Sequence, residues 1–257
     1  MIPKIIHYTW FSGDPFPPLI KQCIDSWHKY LPDYSFVCWD SARIKEIQSI
    51  WLEETLSVRK WAFASDFVRL YALFHYGGIY LDTDCLLYNT LNSFLSNECF
   101  IGKENSIHVE GRSTQMYLTS HCFGAEKHNP FIKKCLSYYD NQHFILSKDD
   151  ALPTSLKYNM LLLPYIQSEI AKQIGYNAYP SCNVVQKLEH LTVYPSCYFD
   201  TLTSSSNSYC RHMALGAWRD SKTPDEKPTI KYKIRWRIEK IVNKLCDKFG
   251  YYLIKKL

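Results

Sequence analysis

The stretch from Lys60 to Leu87 limits the fold more than any other part of the chain. Phe63, Phe67, Leu70, Tyr71 and Phe74 recur at i, i+4, i+7, i+8 and i+11, which makes one face of a helix apolar. Asp66 and Arg69, three residues apart, share another part of that helix's surface. Gly77-Gly78 ends the helix, because glycine accepts the left-handed backbone of a C-terminal cap. Ile79-Tyr80-Leu81 reads as a buried strand that runs into Asp82-Thr83-Asp84, and period-two geometry sends both carboxylates off the strand on one side. Ligands of parallel α/β sheets collect beyond the carboxyl ends of the strands. Two carboxylates there suit a hard cation, Mn²⁺ or Mg²⁺, of the kind that also binds a substrate's phosphates.

The N-terminal region points to the same class. An apolar run Lys4–Trp10 and a turn at Ser12-Gly13-Asp14-Pro15 lead to a helix opened by Pro17-Pro18, with Leu19, Cys23, Trp27 and Leu31 on one face. Pro32-Asp33 breaks it, and Tyr34–Trp39 follows as a short strand. Strand, helix, strand in that order implies a parallel sheet and an α/β fold. Further strands are predicted at 99–102, 121–124, 191–194 and 209–213, and helices at 130–139 and 161–174. The polar segments 105–120, 140–158 and 200–208 read as loops or small inserts around the sheet.

At 257 residues and 46% hydrophobic, the chain can bury a proper core. Apolar runs such as Met160–Leu163 fall far short of the ~20 residues of a membrane span, and Met1–Tyr8 lacks the apolar region of a signal peptide. A cytoplasmic location is the expectation. The ten cysteines never fall at CxxC spacing, which argues against zinc knuckles and a disulfide framework and for reduced, buried thiols. Residues 227–257 carry a net charge of +8, leaving the preceding 226 at −3. An evenly basic nucleic-acid surface is therefore excluded, and no nucleic-acid partner is expected. Ile234, Trp236, Ile238, Ile241, Val242, Leu245, Phe249 and Leu253 interleave with the basic residues as an amphipathic helix suited to an anionic membrane surface. The division expected is a folded domain over 1–220 and a basic amphipathic tail over 221–257.

Trp61–Leu73 followed by Tyr76-Gly77-Gly78-Ile79-Tyr80-Leu81-Asp82-Thr83-Asp84 resembles the signature of glycosyltransferase family 32, which includes capsular-polysaccharide transferases and fungal mannosyltransferases and is distantly similar to clostridial glucosylating toxin domains. Ile2–Gly13, Phe123–Pro130 and His212-Met213-Ala214-Leu215-Gly216-Ala217-Trp218 resemble its opening strand, middle strand and helix, and closing motif, with Met213 and Ala217 where the family often has histidine and serine. The resemblance implies a GT-A fold, a Rossmann-like nucleotide-sugar-binding unit with a mixed, mostly parallel central sheet. It also implies metal-dependent transfer, with retention, of a sugar from a nucleotide donor, UDP-sugar before GDP-sugar, to a glycan or lipid-linked glycan in surface polysaccharide synthesis.

By position, Asp84 would bind Mn²⁺ or Mg²⁺, Asp82 would contact the ribose and the metal's water, and His212 would complete the metal shell. Asp66 and Arg69 would hold the donor sugar and phosphate, Trp10 would stack on the base, and Trp218 would close over the diphosphate. Asp66, Arg69 and Asp84 are thus the expected catalytic residues. No general base is named, since the leaving phosphate would help activate the acceptor hydroxyl. The alternatives are a toxin-like transferase acting on protein and a non-catalytic nucleotide-sugar-binding protein.

Overall fold

The computed structural model describes residues 1–110, 113–200 and 207–214; the expected tail helix and Trp218 lie outside the described residues. In chain order the elements are β1 (Ile5–Thr9), α1 (Pro18–Tyr30), β2 (Ser35–Trp39), α2 (Ile50–Ser57), α3 (Trp61–Tyr76), β3 (Gly78–Leu81), β4 (Cys85–Leu87), β5 (Cys99–Lys103), β6 (His108–Glu110), β7 (Ser113–Gln115), β8 (Leu118–Ala125), α4 (Pro130–Ser137), α5 (Thr154–Lys157), α6 (Leu163–Lys172), β9 (Gln186–Leu188), β10 (Leu191–Tyr194), α7 (Ser196–Phe199) and β11 (Cys210–His212).

A seven-stranded sheet in the order β2-β1-β3-β8-β5-β10-β9 organises the fold. β1 lies parallel to β2 and β3, and β10 parallel to β5, while β8 runs antiparallel between β3 and β5 and β9 antiparallel at the edge. β2, β1, β3, β5 and β10 therefore point one way and β8 and β9 the other. This is the α/β, mixed and mostly parallel sheet that the GT-A resemblance implies. The period of two sorts β3 between two cores: Tyr80 packs with Trp51, Phe63, Val68 and Phe123 on one face, and Ile79 and Leu81 pack with Ile6, Trp27 and Leu31 on the other.

Three local readings are corrected. Asp82-Thr83-Asp84 is not extended: β3 stops at Leu81, and a turn closed by the Cys85 N–H on the Asp82 carbonyl, at 2.9 Å, carries both carboxylates. Segment 105–120 contains the β6–β7 hairpin and the start of β8, and β8 begins three residues before the predicted strand. Asp66 and Arg69 are not on an exposed flank of α3; they are buried, because the N-terminus of α6 lies over them and the Leu163 N–H donates to Asp66 Oδ2 at 3.2 Å.

The junction between α3 and β3 is set by backbone. Gly77 has φ +67 and Gly78 φ +112, values that L side chains rarely adopt. His7 on β1 locks this corner from below. Its Nε2–H donates to the Gly77 carbonyl at 2.8 Å, and its Nδ1 accepts from Trp39 Nε1 at 3.1 Å. The Trp39 bond needs an unprotonated Nδ1, and burial lowers the pKa of the ring to about 4. The unfolded imidazole takes up a proton below about pH 6.5, whereas the folded one refuses it until about pH 4. The His7 contribution is therefore complete above pH 6.5 and is lost on acidification through that window, at a cost of ~3 kcal/mol. Asp66, raised by burial to about 6, acts with the opposite sign between about pH 4 and 6. The clean readout is thus a difference. Urea midpoints of wild type and His7→Gln, whose amide can make both bonds uncharged, should lie close together at pH 7 and separate as the pH falls, wild type losing stability that the variant keeps; parallel curves between pH 7 and 4.5 would remove His7 from the account.

Candidate active site

The site stands at the carboxyl end of β3, held by both cores. Trp27 of α1 donates from Nε1 to the Cys85 carbonyl at 2.7 Å, which fixes the exit of the Asp82–Asp84 turn. The Asp82 N–H donates to the His121 carbonyl of β8 at 2.9 Å, which fixes its entry. β4 then pairs antiparallel with β11 in the register His212↔Cys85, and the Met213 N–H donates to the Asp84 carbonyl at 3.0 Å. That short ladder is what brings His212 to the turn.

Asp82, Asp84 and His212 present one ligand atom each within 4.8 Å of one another. His212 Nε2 lies 3.2 Å from Asp84 Oδ1, with side-chain exposures of 28% and 13%, so the group opens to solvent. Burial alone would lower the His212 pKa; hydrogen bonding and charge from Asp84, with the charges of Asp82 and Asp200, override it and raise it to about 9. Its ring stacks on His121 at 4.4 Å and 17°. Burial, reinforced by the charge of the facing His212, holds His121 below the ordinary imidazole range, and its Nε2 meets the Phe199 carbonyl at 2.9 Å. His121 is thereby a neutral floor beneath His212. Two carboxylates and an imidazole form an oxygen-rich donor set that suits Mn²⁺ or Mg²⁺, with the nitrogen favouring Mn²⁺.

Behind this open group lies a closed one. Arg69 Nη2 is 3.2 Å from Asp66 Oδ1 and 3.3 Å from Asp82 Oδ1, its Nε donates to the Ser65 carbonyl at 3.1 Å, and its Nη1 donates to the Ser120 carbonyl. Its guanidinium also lies 4.5 Å from the Tyr80 ring centroid. Burial opposes the Arg69 charge, but Asp82, Tyr80 and Asp66 more than restore it, so the group stays ionised. Tyr80 completes the support: its hydroxyl donates to Asp82 Oδ1 at 2.9 Å and meets Thr9 Oγ1 at 3.1 Å. Arg69 can thus neutralise and aim Asp82 from the inside, which leaves Asp82 and Asp84 as the face a ligand meets.

The structure brings together Asp66, Arg69, Asp82, Asp84 and His212. Trp10 follows β1; its Nε1 donates to the Asp14 carbonyl at 2.7 Å and its ring packs on Phe16 at 4.9 Å. No hydrogen bond or ring contact described for Trp10 joins it to the acidic group. Sequence reasoning missed Tyr80, His121 and Asp200. Tyr80 had a signal, since period two along β3 puts it on the side of Asp82. His121 and Asp200 act only through tertiary neighbours and had none.

Residues 17–101, from α1 to β5, match the family described as "Glycosyltransferase sugar-binding region containing DXD motif". The chain is 28% identical over 156 residues to "Mannosyl phosphorylinositol ceramide synthase SUR1" of Saccharomyces cerevisiae, covering 56% of this chain and 37% of that protein. It is 29% identical over 138 residues to "Inositol phosphoceramide mannosyltransferase 3" of Schizosaccharomyces pombe, covering 51% and 35%. It therefore spans little more than a third of the length of these relatives. Among solved structures, "PaToxG Glycosyltransferase" is similar with a TM-score of 0.46 and 22% identity over 67% of this chain and 69% of that one. Residues 17–101, which contain Asp82-Thr83-Asp84, are thus similar to the sugar-binding region of the DXD-motif glycosyltransferases.

Proposed function

We propose that the protein is a metal-dependent glycosyltransferase that moves a sugar, with retention, from a nucleotide-sugar donor to a glycan or lipid-linked glycan. UDP-sugars are the favoured donors and GDP-sugars the second choice. The observation that carries this reading is the convergence of Asp82, Asp84 and His212 on one open point with Arg69 directly behind. Those three side chains would hold Mn²⁺ or Mg²⁺, which when bound supplies positive charge for the departing diphosphate.

The residues of the chain do the rest. Arg69 keeps Asp82 ionised and aimed, so the carboxylate needs no reorganisation when a donor arrives. Tyr80 fixes the same carboxylate through its hydroxyl. Asp66 balances the buried guanidinium, which would otherwise be an uncompensated charge. Trp10 at the end of β1 offers the nucleobase a ring, and Trp218 would close over the diphosphate. The leaving phosphate serves as the base for the acceptor hydroxyl, in keeping with the absence of an assigned carboxylate base.

We place this activity in surface polysaccharide synthesis at the cytoplasmic membrane face, with residues 227–257 as the membrane-facing tail. Among the described residues no helix is long and apolar enough to cross a membrane. The test is hydrolysis of a panel of UDP- and GDP-sugars by the purified chain, with and without Mn²⁺ and with chelator. Release from one donor, lost on chelation and restored by Mn²⁺, is the expected result. Release that ignores chelator would overturn metal dependence, and binding of nucleotide-sugars without turnover, even with glycan acceptors present, would leave only a binding protein.

A further inference from the structure

Beyond the donor chemistry, the strand end of β5 carries a second group of side chains that the donor site leaves unused. Glu104 follows β5, and its N–H donates to the Tyr117 carbonyl at 2.7 Å. Its carboxylate meets His108 Nε2 at 2.9 Å. The His108 ring lies flat on Tyr117, with centroids 3.9 Å apart and planes at 16°, and Tyr165 of α6 meets Tyr117 edge-on at 5.6 Å. The Tyr117 hydroxyl donates to Glu110, whose other oxygen accepts from Gln115 Nε2 at 2.8 Å. Gln115 in turn lines a cavity of about 390 Å³ with Lys172, Tyr176 and Tyr179, and its Oε1 is buried without a hydrogen-bond partner.

This group adjoins the acidic centre. The Asn105 N–H donates to Asp200 Oδ2 at 2.6 Å, and the charge of Asp200 acts on both Glu104 and His212. A stack serving only to fill the core would be closed off, yet the side chains of His108 and Glu104 remain 36% and 22% exposed.

We propose that Glu104, His108 and Tyr117 form the subsite for the sugar that receives the transferred residue, and that this sugar is uncharged. The assignment rests on the transferase reading above. Its chemistry is that of saccharide recognition: the C–H face of a pyranose packs on an aromatic surface, and a carboxylate accepts hydrogen bonds from neighbouring hydroxyls. The sign of the charge selects the class. Glu104, Glu110, Glu169 and Asp200 face this region, while Lys172 is committed to Glu169 and Glu110 and the Lys103 ammonium is held by the Asn177 and Cys182 carbonyls. A phosphate beside the acceptor hydroxyl would meet net negative charge with no free cation among these groups. The cavity bordered by Gln115 supplies room for a further sugar of the same glycan.

The test is saturation-transfer NMR with the methyl glycosides of glucose, galactose and mannose and the 6-phosphates of the same sugars, in the absence of donor and cation. At least one methyl hexoside should give a saturable signal. Tyr117→Ala and Glu104→Gln should each weaken it about tenfold, Tyr117→Phe should keep most of it because the ring remains, and the 6-phosphates should bind at least about tenfold more weakly. A thermal melt identifies any variant that fails to fold, and the other variants then decide. Absence of a saturable signal from every hexoside, equal binding by wild type and folded variants, or phosphates that bind as well as the neutral sugars would each overturn the subsite. The two readings fail separately. A chain that releases sugar from a donor yet binds no hexoside loses the subsite alone, and one that binds hexoside at Tyr117 without releasing sugar from any donor loses the transferase reading.

Discussion

Asp84→Asn is expected to lower sugar release from the nucleotide donor by about 10³-fold or more while leaving the fold intact. The amide is the same size and keeps one acceptor, so the β4–β11 ladder and the Met213 N–H bond to the Asp84 carbonyl persist. What disappears is a full negative charge in a group of three ligand atoms that lie within 4.8 Å of one another. The imidazole of His212 then loses the partner that keeps it protonated. Metal affinity should fall with activity, and excess Mn²⁺ should recover only part of the loss. Measurement is direct: donor hydrolysis at saturating Mn²⁺, with circular dichroism and a thermal melt on the same sample. Turnover within about threefold of wild type in a folded Asp84→Asn variant would sink the assignment of the turn as the metal-binding element.

Gly78→Ala should strongly destabilise the fold. The backbone there has φ +112, and a Cβ would sit 2.7 Å from the Ile5 carbonyl oxygen and 3.1 Å from His7 Nε2. Neither neighbour is the free end of a flexible side chain: one is the backbone of β1 and the other is pinned by Trp39. Backbone strain of ~1–3 kcal/mol and overpacking of ~1–3 kcal/mol together approach the ~5–15 kcal/mol that holds a typical domain folded. Chemical denaturation should show a loss of ~3–5 kcal/mol. Gly13→Ala is the matched comparison, with φ +71 and nothing within 4 Å of its Cβ, and should lose ~1 kcal/mol. Equal losses at the two positions would mean that dihedral strain, not the approach of β1, governs this corner.

The parts of the fold that the sequence made legible were those whose reasons are local. The apolar spacing from Phe63 to Phe74 and the pair Gly77-Gly78 bounded α3, and Pro17-Pro18 with Pro32-Asp33 bounded α1, each within a residue or two. β4 was invisible because Cys85-Leu86-Leu87 is too short to show a period and exists only through β11. β6 and β7 have three residues each, polar apart from an exposed Val109, so no alternation marks them. Within the site, helical spacing paired Asp66 with Arg69 but gave no hint that Asp82 would share the same guanidinium. It placed the pair on a surface, and the packing of α6 put it inside. The convergence of the two aspartates was anticipated on the wrong geometry, as strand alternation instead of a turn. His212 came from resemblance to a family motif; nothing in its own neighbourhood marks it as a ligand.

The contribution of β11 sets an order of assembly. Every strand of the seven-stranded sheet has been synthesised once Tyr194 is made, whereas the proposed third ligand, His212, comes later. Synthesis delivers the chain N-terminus first. A nascent chain can therefore close its sheet, bury α3 and form the Asp82–Asp84 turn before His212 joins the two aspartates. His212 is held at the turn by the three-residue β4–β11 pairing, the Met213 N–H bond to the Asp84 carbonyl and its ring stack on His121, with Tyr209 bonded to Tyr88 and Tyr198 and Cys210 buried in the core. On the proposed reading, cation binding would therefore report the docking of β11, a late step of assembly.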